Sequence, residues 1–181
     1  GTLFGQQALD VNSGETLNDG LIQGPTALRF RGQRLTNQTN GTISSDNSFG
    51  LDLPELNNAG LITSGANLML SGGSLTNAGE ISAAGLTADS GRLSNQQGGL
   101  LLAANAMQLN NDTLSNAGQI AASQLDINTT TTENSGLLQG NETLQATGTQ
   151  LTNRGTVLSG GRLALRQDQL DNRAQLQGQQ L

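Results

Sequence analysis

The chain has 181 residues, 34% of them hydrophobic, with 25 Gly, 19 Asn, three Phe as its whole aromatic complement and no Cys, His, Trp, Tyr or Lys. A net charge of −6 with eight basic residues, all Arg, disfavours a nucleic-acid binder, which needs a basic stripe and stacking rings. No apolar run reaches membrane-spanning length, the first residues do not resemble a signal peptide, a disulfide framework is excluded, and a charged fraction of 12% argues against simple disorder.

In chain order, Leu3, Gly5, Leu9 and Val11 fall where Ile62, Ser64, Leu68 and Leu70 fall in a later copy of the same pattern. A weak Leu-x-Asn copy follows, read as Leu17-Asn18-Asp19. Clear copies are Leu35-Thr36-Asn37, Leu56-Asn57-Asn58, Leu75-Thr76-Asn77, Leu93-Ser94-Asn95 and Leu114-Ser115-Asn116. Thr132-Glu133-Asn134 replaces Leu by Thr, and Leu151-Thr152-Asn153 and Leu170-Asp171-Asn172 complete the series. From Asn37 onward the Asn-to-Asn steps are 21, 19, 18, 21, 18, 19 and 19 residues. Such a fixed period marks a repeat architecture.

Each period carries more than the triplet. A Gly usually stands two residues after the Asn (Gly60, Gly79, Gly118, Gly136, Gly155), and an aliphatic two residues further (Ile62, Ile81, Ile120, Leu138, Val157). A small-residue turn such as Ser64-Gly65 or Ser159-Gly160-Gly161 comes next, then an apolar pair two apart, such as Leu68/Leu70, Leu125/Ile127 or Leu163/Leu165. Spacing of two is the strand period, and nowhere is the helical period of 3.6 sustained.

Short strands with one inward pattern per period can wind into a coil, each strand stacking in parallel on its counterpart one turn later. The expected fold is all-β: a right-handed, single-stranded parallel β-helix of about nine coils of ~19 residues, three short strands per coil. The hand comes from the general rule for parallel crossovers. At ~4.8 Å per coil the rod is roughly 40–45 Å long. Residues 1–181 form a single repeat segment, with coils starting near Leu17, Leu35, Leu56, Leu75, Leu93, Leu114, Thr132, Leu151 and Leu170. Since the register is under way before residue 1, a fragment of a longer rod is expected.

The Asn column has a physical reason. Asn bonds local main chain at a tight turn, and stacked amides bond one another along an axis. The candidate site residues are therefore a structural ladder: Asn37, Asn58, Asn77, Asn95, Asn116, Asn134, Asn153 and Asn172. A ligand-binding polar stripe is the competing reading, disfavoured because an apolar Leu stands two residues before nearly every Asn.

Units such as Leu75-Thr76-Asn77-Ala78-Gly79-Glu80-Ile81 and Leu151-Thr152-Asn153-Arg154-Gly155-Thr156-Val157 resemble the filamentous haemagglutinin repeat. That family builds β-helical rods in two-partner secretion exoproteins of Gram-negative bacteria, among them adhesins and the toxin-delivery proteins of contact-dependent growth inhibition. The resemblance covers essentially the whole chain. It implies export through an outer-membrane partner transporter, folding at the cell surface, and a rod displaying an end domain. The longer coils from Leu35 and Leu93, and the Thr run at Thr129 to Thr132, depart from the pattern and are expected to be local bulges or loops.

Other chemistry is weaker. Glycoside hydrolysis needs two positioned carboxylates, but the acids are spread at one or two per coil, and His, Cys, Tyr and Lys are absent. Catalysis is not expected, and no cofactor or metal is implied. Asp52-Leu53-Pro54-Glu55 could meet an ion, though a solvated loop is the preferred reading. Arg29, Arg31 and Arg34 near one end, and Arg154, Arg162, Arg166 and Arg173 near the other, could form an anionic-glycan patch, against the preferred reading of solvated charge. Asn-x-Ser/Thr sites occur at Asn37, Asn40, Asn111, Asn128 and Asn141 without indicating modification. The Thr/Ser column beside the Asn lacks the second flat column of an ice-binding array.

The leading expectation is a non-catalytic spacer in a secreted or cell-surface protein, holding a distal adhesive or toxin-delivery domain away from the cell. The alternative is that the rod itself binds a host or bacterial receptor or glycan. The segment is expected to be monomeric, with end-to-end stacking possible through unpaired strand edges, and not to be embedded in a membrane.

Overall fold

Alternation of inward and outward side chains dictates the architecture. In the computed structural model, which describes residues 1–180, every regular element is a strand, and every pairing is parallel. The first coils are built from β1 (Thr2–Phe4), β2 (Ala8–Asn12), β3 (Glu15–Asn18), β4 (Leu21–Gln23), β5 (Ala27–Arg31), β6 (Arg34–Asn37), β7 (Thr42–Ser45), β8 (Phe49–Asp52) and β9 (Glu55–Asn58). Each pairs with the third strand onward: β1 with β4 and β4 with β7 on a first side, β2 with β5 and β5 with β8 on a second, β3 with β6 and β6 with β9 on a third. Three sides and one coil per three strands make a parallel β-helix.

From Leu61 the three sides of a coil fuse. β10 (Leu61–Asn77) pairs with β7, β8 and β9 in turn, so the main-chain ladder runs unbroken round two corners. β11 (Glu80–Asn95), β14 (Gln119–Asn134) and β15 (Leu137–Asn153) do the same. The coils are completed by β12 (Leu100–Ala103), β13 (Ala106–Asn116), β16 (Thr156–Ser159), β17 (Arg162–Asn172) and β18 (Gln175–Gln177). Small residues at the first two corners, such as Ser64-Gly65 and Gly72-Gly73, let the chain bend without breaking its pairing. The corner after each Asn interrupts it.

Inside, like stacks on like. The first side contributes Ile22, Ile43, Ile62, Ile81, Leu101, Ile120, Leu138 and Val157, all buried. The second side contributes two columns, one running Leu28, Phe49, Leu68, Leu86, Met107, Leu125, Leu144 and Leu163. Its neighbour runs Phe30, Leu51, Leu70, Ala88, Leu109, Ile127 and Ala146. The third side contributes Leu35, Leu56, Leu75, Leu93, Leu114 and Leu151, with Thr132 among them. Coils bury apolar surface only against their neighbours, the rule for solenoids.

Every departure from 19 residues is taken up at a corner. The steps from Asn37 to Asn58 and from Asn95 to Asn116 carry two extra residues just after the first Asn: its glycine is Gly41 or Gly99, four residues on, in place of two. The 18-residue steps lose one residue at the first corner, where Ser64/Asn67 pairs with Ala83/Gly85 and Ala122/Gln124 with Gly140/Thr143. No straight side absorbs a change, because a one-residue slip along a side would turn its apolar face outward.

Two expectations need correction. The first triplet is one residue out of register: Thr16 pairs with Leu35, Leu17 with Thr36 and Asn18 with Asn37. Leu17 therefore points outward, 67% exposed, while Asn18 is buried. The Thr run is neither a bulge nor a loop. It lies inside β14, with Thr129 and Thr132 inward, their hydroxyls 2.6 Å apart. That mutual hydrogen bond is what admits Thr to a Leu column, since a buried hydroxyl without a partner is costly.

Candidate functional site

The most ordered polar array follows from the third side. Each Asn that ends a third-side strand turns its amide inward at the corner. The Nδ2 of Asn18 donates to Oδ1 of Asn37 at 2.8 Å, and the same bond recurs at 2.8 to 2.9 Å from Asn37 to Asn58, Asn77, Asn95, Asn116, Asn134, Asn153 and Asn172. Every Nδ2 also reaches main-chain carbonyls: Asn58 meets Gly60 O at 3.1 Å and Glu80 O at 3.0 Å. All the amides point the same way along the axis. Interior rungs such as Asn37, Asn77 and Asn153 are fully buried, and their polar atoms bond to neighbouring rungs and to the rod's own main chain. Asn18 is a rung that the triplet spacing assigned to the wrong position.

The glycine after each rung closes the corner. A Cβ on Gly60 or Gly79 would strike the carbonyl oxygen of Gly41 or Gly60 in the preceding coil. That contact explains why Gly recurs there.

Ionisable groups do not converge. Among the described residues no three His, Cys, Asp or Glu side chains are placed to share a metal ion. Asp52 accepts from Ser71 Oγ at 3.0 Å, while Glu55 lies beyond the corner, where Leu53 points inward and is buried. The Nε of Arg34 donates to Glu55 at 2.8 Å, and Glu15 stands 3.5 Å from Arg34 on the other side. The Glu55 carboxyl is held below its ordinary value by the amide of Asn57 and by Arg34; Arg34 is raised by the hydrogen bond to Glu55 and the two carboxylates. The basic cluster near the start is thus divided. Arg34 sits neutralised on the third side, and Arg29 and Arg31 lie on outward positions of the second, Arg29 at 3.9 Å from Asp10. Arg162 and Arg166 occupy the same side several coils later. Arg173 is held by Asp171 at 2.8 Å.

The Asn-x-Ser/Thr sites also separate. Asn37 and Asn111 are buried, and Asn40, Asn128 and Asn141 are exposed. A second polar column at the corner between the second and third sides had no sequence signature, because its members differ: Gly72, Ser90, Asn111, Thr129 and Gly148. There Asn111 Nδ2 donates to Ser90 Oγ at 2.8 Å.

No helix of the described residues is long and apolar enough to cross a membrane. No solved structure matches the chain. The chain is 37% identical over 194 residues to the tRNA nuclease CdiA of Escherichia coli O6:K15:H31, covering 84% of the chain and 6% of that protein. It is 39% identical over 171 residues to the 16S rRNA endonuclease CdiA of Enterobacter cloacae, covering 93% of the chain and 5% of that protein. The Deoxyribonuclease CdiA of Dickeya dadantii is 37% identical over 153 residues, again matched over 5% of its length. The chain thus spans a small part of these relatives. Haemagglutinin and CdiA homologues are secreted, cell-surface proteins exported across the outer membrane of Gram-negative bacteria. The family model described as "Haemagglutinin repeat" matches residues 1–85, 55–139 and 120–180, and the chain belongs to that family, as a β-helical segment of a filamentous-haemagglutinin-like exoprotein.

Proposed function

We propose that this segment is a rigid, non-catalytic spacer that holds a distal adhesive or toxin-delivery domain away from the producing cell. The observation that carries the reading is the unbroken stacking of every coil on the next: buried apolar columns, continuous main-chain ladders and nine linked amides running the length of the molecule. Such a stack transmits position along one axis. On this reading residues 1–181 act as one unit, and Asn37, Asn58, Asn77, Asn95, Asn116, Asn134, Asn153 and Asn172 are structural rather than ligand-binding. The nuclease activities in the relatives' names belong to parts of those proteins outside this repeat. The partner in export is an outer-membrane transporter of the two-partner secretion type, engaged through regions outside these residues.

Replacement tests the proposal. In the parent protein, residues 1–181 are exchanged for an unrelated β-helix with the same number of coils. Delivery or adhesion by the distal domain is then measured beside the rod length seen by electron microscopy. Retained activity at unchanged length is expected. Abolished activity at unchanged length would refute the spacer reading.

A further inference from the structure

Of the 19 Asn in the chain, Asn40 alone is followed by Gly. A glycine in that place leaves the next main-chain nitrogen unshielded by a side chain. The nitrogen can then reach Cγ of the Asn and close a five-membered ring. Asn40 is exposed in the first lengthened corner, and Gly41 is buried at its end. The second lengthened corner, Gln96-Gln97-Gly98-Gly99, places Gln before its glycines. Two corners of equal length therefore differ in this one reactivity.

The folded corner holds both reacting groups back. Gly41 N, the attacking atom, donates to Gln38 O at 2.8 Å. Asn40 Nδ2, the leaving group, donates to Asp19 Oδ1 at 3.1 Å in the preceding coil. Gly41 O accepts from Leu61 N at 2.9 Å and from Asn37 Nδ2 at 3.1 Å. Ring closure must break the turn and pull Gly41 off the ladder. There is also no room for added atoms, since a Cβ on Gly41 would strike Asn37 Oδ1 and Asn18 O.

We infer that Asn40 is a self-modification site, shut in the folded rod and open in the unfolded chain, whose reaction spoils the corner between β6 and β7. The Gly41 nitrogen bonds to Asn40 Cγ, the Cγ–Nδ2 bond breaks, and ammonia leaves with the proton from Gly41. Water then opens the succinimide at one of its two carbonyls, giving aspartate or isoaspartate. Aspartate sets a carboxylate against Asp19 where a donor stood. Isoaspartate routes the main chain through the side-chain carbon and adds one atom just ahead of Gly41, where the packing admits none. Time spent unfolded is thereby written into the chain as a weaker junction between coils, and folding stops the record. The inference is independent of the spacer reading.

The test ages the 181-residue chain in mildly alkaline buffer, folded in one arm and unfolded by urea in the other. Peptide mapping by mass spectrometry follows replacement of the amide NH2 by OH, and an isoaspartyl methyltransferase assay counts isoaspartate. Conversion at Asn40 should be about tenfold or more slower in the folded arm, because the corner must first open. In the unfolded arm Asn40 should convert ahead of every other Asn and of Gln96 and Gln97. After urea is removed, the chain aged unfolded should melt at a lower temperature than fresh chain. Asn40→Ser, aged in the same way, should keep its unaged midpoint. Four outcomes overturn the inference: equal conversion in the two arms, another Asn converting as fast, an unchanged midpoint for the aged parent chain, or an equal loss in Asn40→Ser.

Discussion

Substituting one interior rung, Asn77→Ala, isolates what the amide column contributes. Asn77 is fully buried. Its Nδ2 donates to Asn95 Oδ1 at 2.8 Å and to Leu100 O at 3.0 Å, and its Oδ1 accepts from Asn58 at 2.8 Å. Removal orphans the Asn95 oxygen inside the rod and leaves Asn58 with only its carbonyl partners, Gly60 O and Glu80 O. Each net hydrogen bond contributes about 1 kcal/mol and an orphaned buried polar atom costs about 1–3 kcal/mol, so a loss of about 3–5 kcal/mol is expected. The terminal rung offers the control. Asn172 is exposed, accepts from Asn153 and donates onward only to Ala174 O, so Asn172→Ala should cost about 1 kcal/mol. Urea melts followed by far-ultraviolet circular dichroism, compared at unchanged slope, measure both. Equal losses for the two substitutions, or a loss under about 1 kcal/mol for Asn77→Ala, would refute the claim that the buried amides hold the coils together.

Other outcomes follow from neighbouring features. Leu114, 1% exposed, should lose about 2–5 kcal/mol as Leu114→Ala, whereas Glu80→Gln, on an outward position, should change the same melt by less than about 0.5 kcal/mol. Thr132→Val should cost about 1–3 kcal/mol by stranding the Thr129 hydroxyl, and adding Thr129→Val should recover part of it, since replacing both partners removes the orphan; a double-mutant cycle reads the coupling. Gly60→Ala should destabilise the chain strongly through its clash with Gly41 O, while Gly50→Ala, whose nearest atom would be Met69 O at 3.5 Å, should be tolerated in the same thermal melt. Glu55 has its carboxyl held below the ordinary value of 4.5. Its contribution is present above that value and is lost as pH falls through the lowered folded value. The melting temperature of the parent chain should therefore exceed that of Glu55→Gln at neutral pH, and the gap should close on acidification below 4.5.

Much of the rod was readable because a solenoid writes its contacts into spacing. Residues one period apart touch, so the Asn37-to-Asn172 series named rungs that meet in space, and spacing of two picked out inward pairs such as Leu68/Leu70. The misreading at Leu17 shows the limit. Leu17-Asn18-Asp19 satisfies the triplet as letters, but Thr16 is the residue that occupies the Leu column. At the first coil the pairing of Asn18 with Asn37 turns Asn18 inward and both its neighbours, Leu17 and Asp19, outward. The Thr run misled for a related reason. A polar residue in an apolar column looks like a break unless its hydrogen-bond partner, three residues away, is known.

The lengthened corners expose a deeper asymmetry between the inside and the outside of such a fold. Step lengths of 21 reported that two coils were longer, and Gly41 and Gly99 falling four residues after their Asn carried the information of where. Inward positions are held to a single register, because a slip exposes a whole face and each coil depends on both neighbours. Corners after the Asn close through the amide-to-glycine bond over one intervening residue or three. Variation can therefore accumulate there without disturbing the stack. A repeat this regular inside places its individuality at its corners, with residues gained at the third and lost at the first.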